Sequence, residues 1–387
     1  MRTLITAEKL WDGTSLTLHP VVEIEDGRIV SIRDREAGET SGPGNGMDYP
    51  GATLAPSFFD VHMHGGAGHD VMEATPEALL AVGGFLASRG TGSYLATTVT
   101  ASMDATLRAL AGLAKLVAKA PSEANHKAWP IGIHLEGPFL SHAKKGVQPA
   151  EHLLAPDVAS FDRFFEAAEG HIRLMTMAPE LPSAVELVAH ATSRGVRVSL
   201  GHSDATAAET RAAIAAGAAS ATHTFNAMRA LDHREPEILG TVLTTDSLYA
   251  ELICDGIHTA AELVKLWWRA KGPERAILVT DAMSAAGMPD GEYHLGGFAV
   301  QVANGKAMAR GVLAGSVLTL DRALTNFLEF TGAEVEQGLR LLTANPASMT
   351  GFGDEAGTLA IGRKANLVVV DGAGKLVASF VDGLPKN

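Results

Sequence analysis

The chain has 387 residues, 46% of them hydrophobic and 19% charged, with 31 Lys and Arg against 44 Asp and Glu and a formal net charge of −13. Such a length allows a large core, and the ordinary composition argues against disorder, low complexity or a fibrous chain. The acidic balance argues against nucleic acid or an anionic membrane surface as partner, so an anionic ligand would have to be held by a few local groups.

A single cysteine, Cys254, forbids an internal disulfide and fits a reducing compartment. It lies in the apolar run LYAELIC and reads as a buried, inert thiol. The opening MRTLITAEKLWDG has no apolar leader core and reads directly as strand and turn. No apolar run approaches the length of a membrane-spanning helix. The expectation is a soluble cytoplasmic protein.

In chain order, residues 1–53 show strand patterns: LITAEKLWDG, VVEIEDGRIVSI and the Gly-rich SGPGNGMDYPG, joined by Asp-Gly turns. The end of the chain, GTLAIGRKANLVVVDGAGKLVASFVDG, has the same character. Residues 1–53 with 357–387 are therefore expected to form a small β-sandwich domain, and 54–356 a catalytic domain inserted between its halves.

From residue 54, strand-like runs alternate with Ala- and Leu-rich helical stretches. Eight strands are expected, in LAPSFFDVH, GSYLATTV, WPIGIHLE, IRLMTMAPE, VRVSLGH, SATHTF, YAELICD and AILVTDA. Between several of them lie helices that open on Thr, Asp or Pro and close on Gly. Eight such units in succession define an α/β fold, a (β/α)8 TIM-like barrel. The strands are apolar on both faces, as strands ringed by helices must be. Residues 289–313 turn β-like again, with an Asn304-Gly305 hairpin signal, before a helix expected over roughly 316–330.

Chemistry in such barrels sits at the C-terminal ends of the strands. There the chain places His62 and His64 on strand one, Glu136 on strand three, His202 on strand five and His223 on strand six. Asp255 and His258 follow strand seven, and Asp281 ends strand eight. Each has an ordinary explanation alone, as a core histidine or a helix cap. Barrel closure would bring all of them to one rim, which points to a metal-dependent site. Imidazoles with carboxylates suit Zn²⁺ or Fe²⁺, which would acidify a water and polarise a carbonyl. Asp281 would be the base that takes the water's proton and returns it to the leaving group. This describes hydrolysis of an amide, lactam or amidine.

H-x-H after strand one, His on strands five and six and Asp on strand eight resemble the amidohydrolase superfamily. HLEGPF, KKG, LGHS, ATHTFNAM, DGIH and VTDAM, in that order over roughly residues 50–370, are similar to the N-acetylglucosamine-6-phosphate deacetylase family. That resemblance implies removal of an acetyl group from an amino-sugar phosphate. It implies a main ion on Glu136, His202 and His223, and Asp281 as base and later acid. It also implies sugar-phosphate contacts from Asn226, Ala227 and His258, and a homodimer in which Arg234 reaches the neighbouring subunit's substrate. Because His62 and His64 are both present, one or two ions per chain are possible, with Glu136 bridging. The chain departs from the family after KKG, where Gln148 replaces a histidine that polarises the acetyl carbonyl. Either Gln148 takes that role with a neutral hydrogen bond, or His142 or His152 swings in. The galactosamine epimer, a cyclic amide and a non-catalytic scaffold are the alternatives.

Overall fold

A computed structural model of the chain describes residues 2–36 and 46–386. The Gly-rich stretch expected to turn at 41–45 lies outside these residues. The eight expected strands are present, and we number them as barrel strands: β1 (Phe58–Met63), β2 (Thr91–Thr98), β3 (Trp129–Glu136), β4 (Ile172–Met177), β5 (Arg197–Leu200), β6 (Ser220–Ala221), β7 (Tyr249–Ile253) and β8 (Ala276–Val279). They pair in parallel, each with its neighbour in sequence. The ring closes where the backbone N–H of Asp281 donates to His62 O at 2.8 Å and that of His64 donates to Ala282 O at 2.7 Å. Closure thus falls on three residues already singled out for chemistry.

The helices form where caps and apolar stripes agree. Thr75 accepts from Ala78 N ahead of Pro76–Ser88, with Pro76 in the first turn, and Thr206 and Glu209 form a capping box ahead of Ala207–Ala215. Three further helices take no part in the pattern read from sequence, Val158–Ala167, Glu237–Thr244 and Val335–Leu342, while the short helix Ala344–Thr350 falls on the ANPAS segment, where the family resemblance implies one. The helix after strand eight runs Leu320–Thr331, four residues later than the expected start, because residues 316–319 are used to fix Asp281. The Ser316 backbone N–H donates to Asp281 O at 2.7 Å, and its hydroxyl donates to Thr280 O at 2.6 Å. Large side chains such as Phe58, Phe59, Trp267 and Phe327 are fully buried between ring and helices. Burial of each such group contributes about 1.5–3 kcal/mol.

The strand expected over LAPSFFDVH divides in two. Leu54–Pro56 end a long strand, Gly46–Pro56, that runs parallel to Arg2–Trp11 and antiparallel to Leu367–Val370. The N- and C-terminal segments are joined through it into one eight-stranded sheet, with Ile5, Leu10, Leu54, Val369 and Phe380 in its core. Between β8 and its helix, residues 291–313 form a four-stranded antiparallel sheet. Its central turn is the expected one: Asn304 and Gly305 both have positive φ, 51° and 74°, as a tight hairpin requires. Leu295, Val312 and Leu313 of this sheet reach the mouth of the barrel.

Candidate metal-dependent active site

At that mouth a cavity of about 320 Å³ is lined by His64, Glu136, His202, His223, His258 and Asp281, among others. A larger groove of about 770 Å³ lies to one side, past Arg108 and Tyr293, and holds none of these residues.

Glu136 is the centre of the cluster. One oxygen, Oε1, lies 3.2 Å from His202 Nε2, 3.4 Å from His223 Nε2 and 3.4 Å from His62 Nε2. The other, Oε2, lies 3.5 Å from His64 Nε2 and accepts from Gln148 Nε2 at 2.8 Å. Asp281 Oδ1 is 3.1 Å from His64 Nε2 and 3.6 Å from His62 Nε2. Glu136 and the four histidines are nearly or wholly buried. The elements impose this arrangement at some cost: His202, His223 and Asp281 have φ of 48°, 27° and 51°, a region that residues with a Cβ seldom adopt.

These residues fit a divalent ion. Glu136, His202 and His223 form one potential ligand triad, and His62, His64 and Glu136 another. In the first, the His202 and His223 Nε2 atoms are 3.1 Å apart, so its three edges span 3.1–3.4 Å. Ligands tetrahedral about an ion at 2.0–2.1 Å stand about 3.3 Å apart. The tautomers agree as well. His202 Nδ1 meets Lys144 O at 3.0 Å and His64 Nδ1 meets Thr97 O at 3.1 Å. A nitrogen facing a carbonyl must carry the hydrogen, which leaves the Nε2 lone pair of each neutral ring aimed at Glu136.

Before an ion displaces the protons from these rings, burial alone would raise the Glu136 carboxyl, but a protonated His62 and hydrogen bonds from His202, His223 and His62 hold it well below the usual range. Asp281 follows the same balance: burial opposes ionisation, and His62 and His64 outweigh it. Its carboxylate is therefore free to take a proton at neutral pH. Beneath the cluster lies a hydrogen-bonded polar layer. His134 Nε2 meets Thr176 Oγ1 at 2.8 Å, Thr176 meets Thr222 at 2.7 Å, and Thr222 donates to Ser199 at 2.6 Å. Asp60 accepts from the His62 backbone N–H at 3.2 Å and from Thr280 Oγ1 at 2.6 Å, tying β1 to β8.

On another wall, Asn226 and Ala227 face the cavity with His258. Burial works against a charge on His258, yet its 2.7 Å hydrogen bond to Asp255 and that group's charge raise its pKa. Gln148 does line the cavity, but its amide is engaged: Oε1 accepts from Thr100 N at 2.9 Å while Nε2 donates to Glu136. Arg234 is exposed on the loop after β6 and is not part of the cavity wall; its backbone N–H donates to Asp232.

Sequence reasoning passed over Asp60, His134 and Glu251. Each breaks an apolar strand run with a charge or imidazole, and that is the signal that was available.

The fold, the ligand cluster and the acid just past β8 define a metal-dependent hydrolase barrel, and a family model described as "Amidohydrolase family" matches residues 53–387. The chain belongs to this amidohydrolase family. Within it, the chain is 37% identical to the N-acetylglucosamine-6-phosphate deacetylase of Lysinibacillus sphaericus over 351 residues, 90% of this chain and 89% of that one. It is 36% identical to the N-acetylgalactosamine-6-phosphate deacetylase of Escherichia coli O157:H7, covering 96% and 94%. The crystal structure of N-acetyl-D-glucosamine-6-phosphate deacetylase from Mycobacterium smegmatis superposes with a TM-score of 0.90 at 33% identity, over 99% of both chains. No helix among the described residues is long and apolar enough to cross a membrane.

Proposed function

We propose that the chain hydrolyses the N-acetyl group of N-acetyl-D-glucosamine 6-phosphate, giving D-glucosamine 6-phosphate and acetate. One observation carries the reading: the Asp281 carboxyl lines the same cavity as the Glu136, His202 and His223 triad, with His258 also on its wall. An ion held by Glu136, His202 and His223, Zn²⁺ or Fe²⁺ by its donor set, would polarise the acetyl carbonyl and acidify the attacking water. Asp281 takes the proton from that water as its oxygen bonds to the carbonyl carbon. The same carboxyl then gives the proton to the amide nitrogen as the C–N bond breaks. Leu295, Val312 and Leu313 supply apolar wall at the mouth.

His258, raised toward its cationic form by Asp255, and the backbone at Asn226 and Ala227 suit the phosphate end. Arg234 is exposed and off the wall of its own cavity, which suits a role at the substrate of a neighbouring copy in a homodimer. Removal of the Arg234 side chain should then raise KM for the phosphorylated sugar in the dimer and leave turnover of an unphosphorylated one unchanged. The buried, unpaired Cys254 fits a cytoplasmic setting.

The galactosamine epimer is the second reading, raised by the name of the Escherichia coli relative, while other curated relatives carry the glucosamine name. Acetate release from both 6-phosphates and from unphosphorylated N-acetylglucosamine tests the choice. The proposal expects the highest kcat/KM with the glucosamine 6-phosphate. Equal rates with and without phosphate would contradict it.

A further inference from the structure

Glu251 has no part in the chemistry described so far. It lies on β7, inside the barrel, with no exposed surface. Its Oε2 is 3.3 Å from His62 Nδ1, while Oε1 has no hydrogen-bond partner. An enclosed carboxylate with an unsatisfied oxygen is unfavourable and calls for an explanation in function.

The surroundings of His62 supply one. Its Nε2 faces Glu136 Oε1 at 3.4 Å and Asp281 Oδ1 at 3.6 Å. Its ring stands edge-on to His64 and His134, with centroids 5.3 and 4.7 Å away, and tilted toward His223 at 5.5 Å. Glu136 and Asp281 face Nε2, and among the described residues Glu251 is the hydrogen-bond partner at Nδ1. With Nδ1–H directed at Glu251, the neutral ring presents its lone pair inward. His64 and His202 are set in the same way by the carbonyls of Thr97 and Lys144. The acceptor behind His62 differs in being a carboxyl group, the kind of partner that orients a ligating imidazole and makes it a better ligand.

We propose that Glu251 is a positioning residue that readies His62 to hold a divalent ion with His64 and Glu136, beside the ion at Glu136, His202 and His223. The inference rests on the metal-dependent reading above but is measured without turnover. Glu251 is fully buried and absent from the cavity wall.

The test is zinc titration of chelator-stripped protein, read by competition with a chromophoric chelator and by elemental analysis. The wild type should take two ions. Glu251→Gln, which keeps the volume and one acceptor, should keep the first ion at unchanged affinity and weaken the second about 10- to 100-fold. Glu251→Leu, which keeps no acceptor, should weaken the second further. The retained first ion serves as the check on folding. Three results overturn the proposal: one ion at saturation in the wild type, equal second-ion affinity in the variants, or loss of both ions in Glu251→Gln. Acetate release measured on the same samples tests the deacetylase reading separately, since either result can fail while the other holds.

Discussion

Replacing Asp281 by Asn removes the proposed base and little else. Its backbone bonds to His62 and Ser316, 2.8 and 2.7 Å, do not involve the side chain, so barrel closure survives. Asn tolerates the φ of 51° about as well as Asp does, whereas Ala would not. The amide keeps the volume and can still meet His64 Nε2, now 3.1 Å from Oδ1. What it cannot do is take a proton from water or pass one to the departing nitrogen. Positioned acid–base catalysis contributes about 10²- to 10⁴-fold, and one group serves both halves here. A fall in kcat of roughly 10³-fold is expected, or about 4 kcal/mol at 1.36 kcal/mol per decade. KM should move by less than about threefold, because the interaction lost belongs to the transition state. The assay is steady-state acetate release with bound metal quantified on the same sample. A kcat within about tenfold of wild type at full metal content would refute the assignment.

Other perturbations follow from the same geometry. Gln148→Ala would leave Thr100 N and Glu136 Oε2 without their buried partner, a loss of about 1–3 kcal/mol that should appear in urea unfolding along with a lower kcat. His258 has its pKa raised above 6.5, so it is cationic below that pH and loses its charge as pH rises through the raised value. KM for the phosphorylated sugar should therefore climb across that window, and His258→Asn should flatten the climb. Lys271 is pushed down to about 8 by burial, while its ammonium donates to Val242 O and Thr245 O at 3.0 and 2.7 Å. Between about pH 8 and 10.5 the unfolded chain binds more protons at this site than the native one. Native stability should rise over that range relative to Lys271→Met, and the difference should stay constant below it. A flat difference across the whole range would contradict the burial argument.

The barrel was legible because its strands, covered on both faces, are short apolar runs that stand out between capped helices. Its rim was legible for a related reason: His202, His223 and Asp281 lie just past strand ends, where a polar residue breaks an apolar run. The structure sharpens that placement, since β6 stops at Ala221 and His223 sits two residues beyond it. Other features depend on folding at a distance. Leu54–Pro56 look like barrel strand by composition, yet they pair with residues more than 300 positions away. Gln148 stands where a carbonyl-polarising group was expected, but its bond to Glu136 arises only when the loop after β3 folds back. Glu251 interrupts the apolar run of β7, but its meaning depends on which ring stands against it. Arg234 could be placed by motif but not in space: it is exposed on the loop after β6, off the wall of its own cavity.

The central claim is that Glu136, His202 and His223 hold an ion without which the amide is not cleaved. The most direct measurement strips the protein with a chelator and then restores Zn²⁺ or Fe²⁺ while recording acetate release from N-acetyl-D-glucosamine 6-phosphate, with Glu136→Gln treated alongside. The account predicts that turnover vanishes on stripping, returns with the ion in the wild type and stays absent in the variant. Full turnover in the stripped protein, or wild-type turnover in Glu136→Gln, would contradict it.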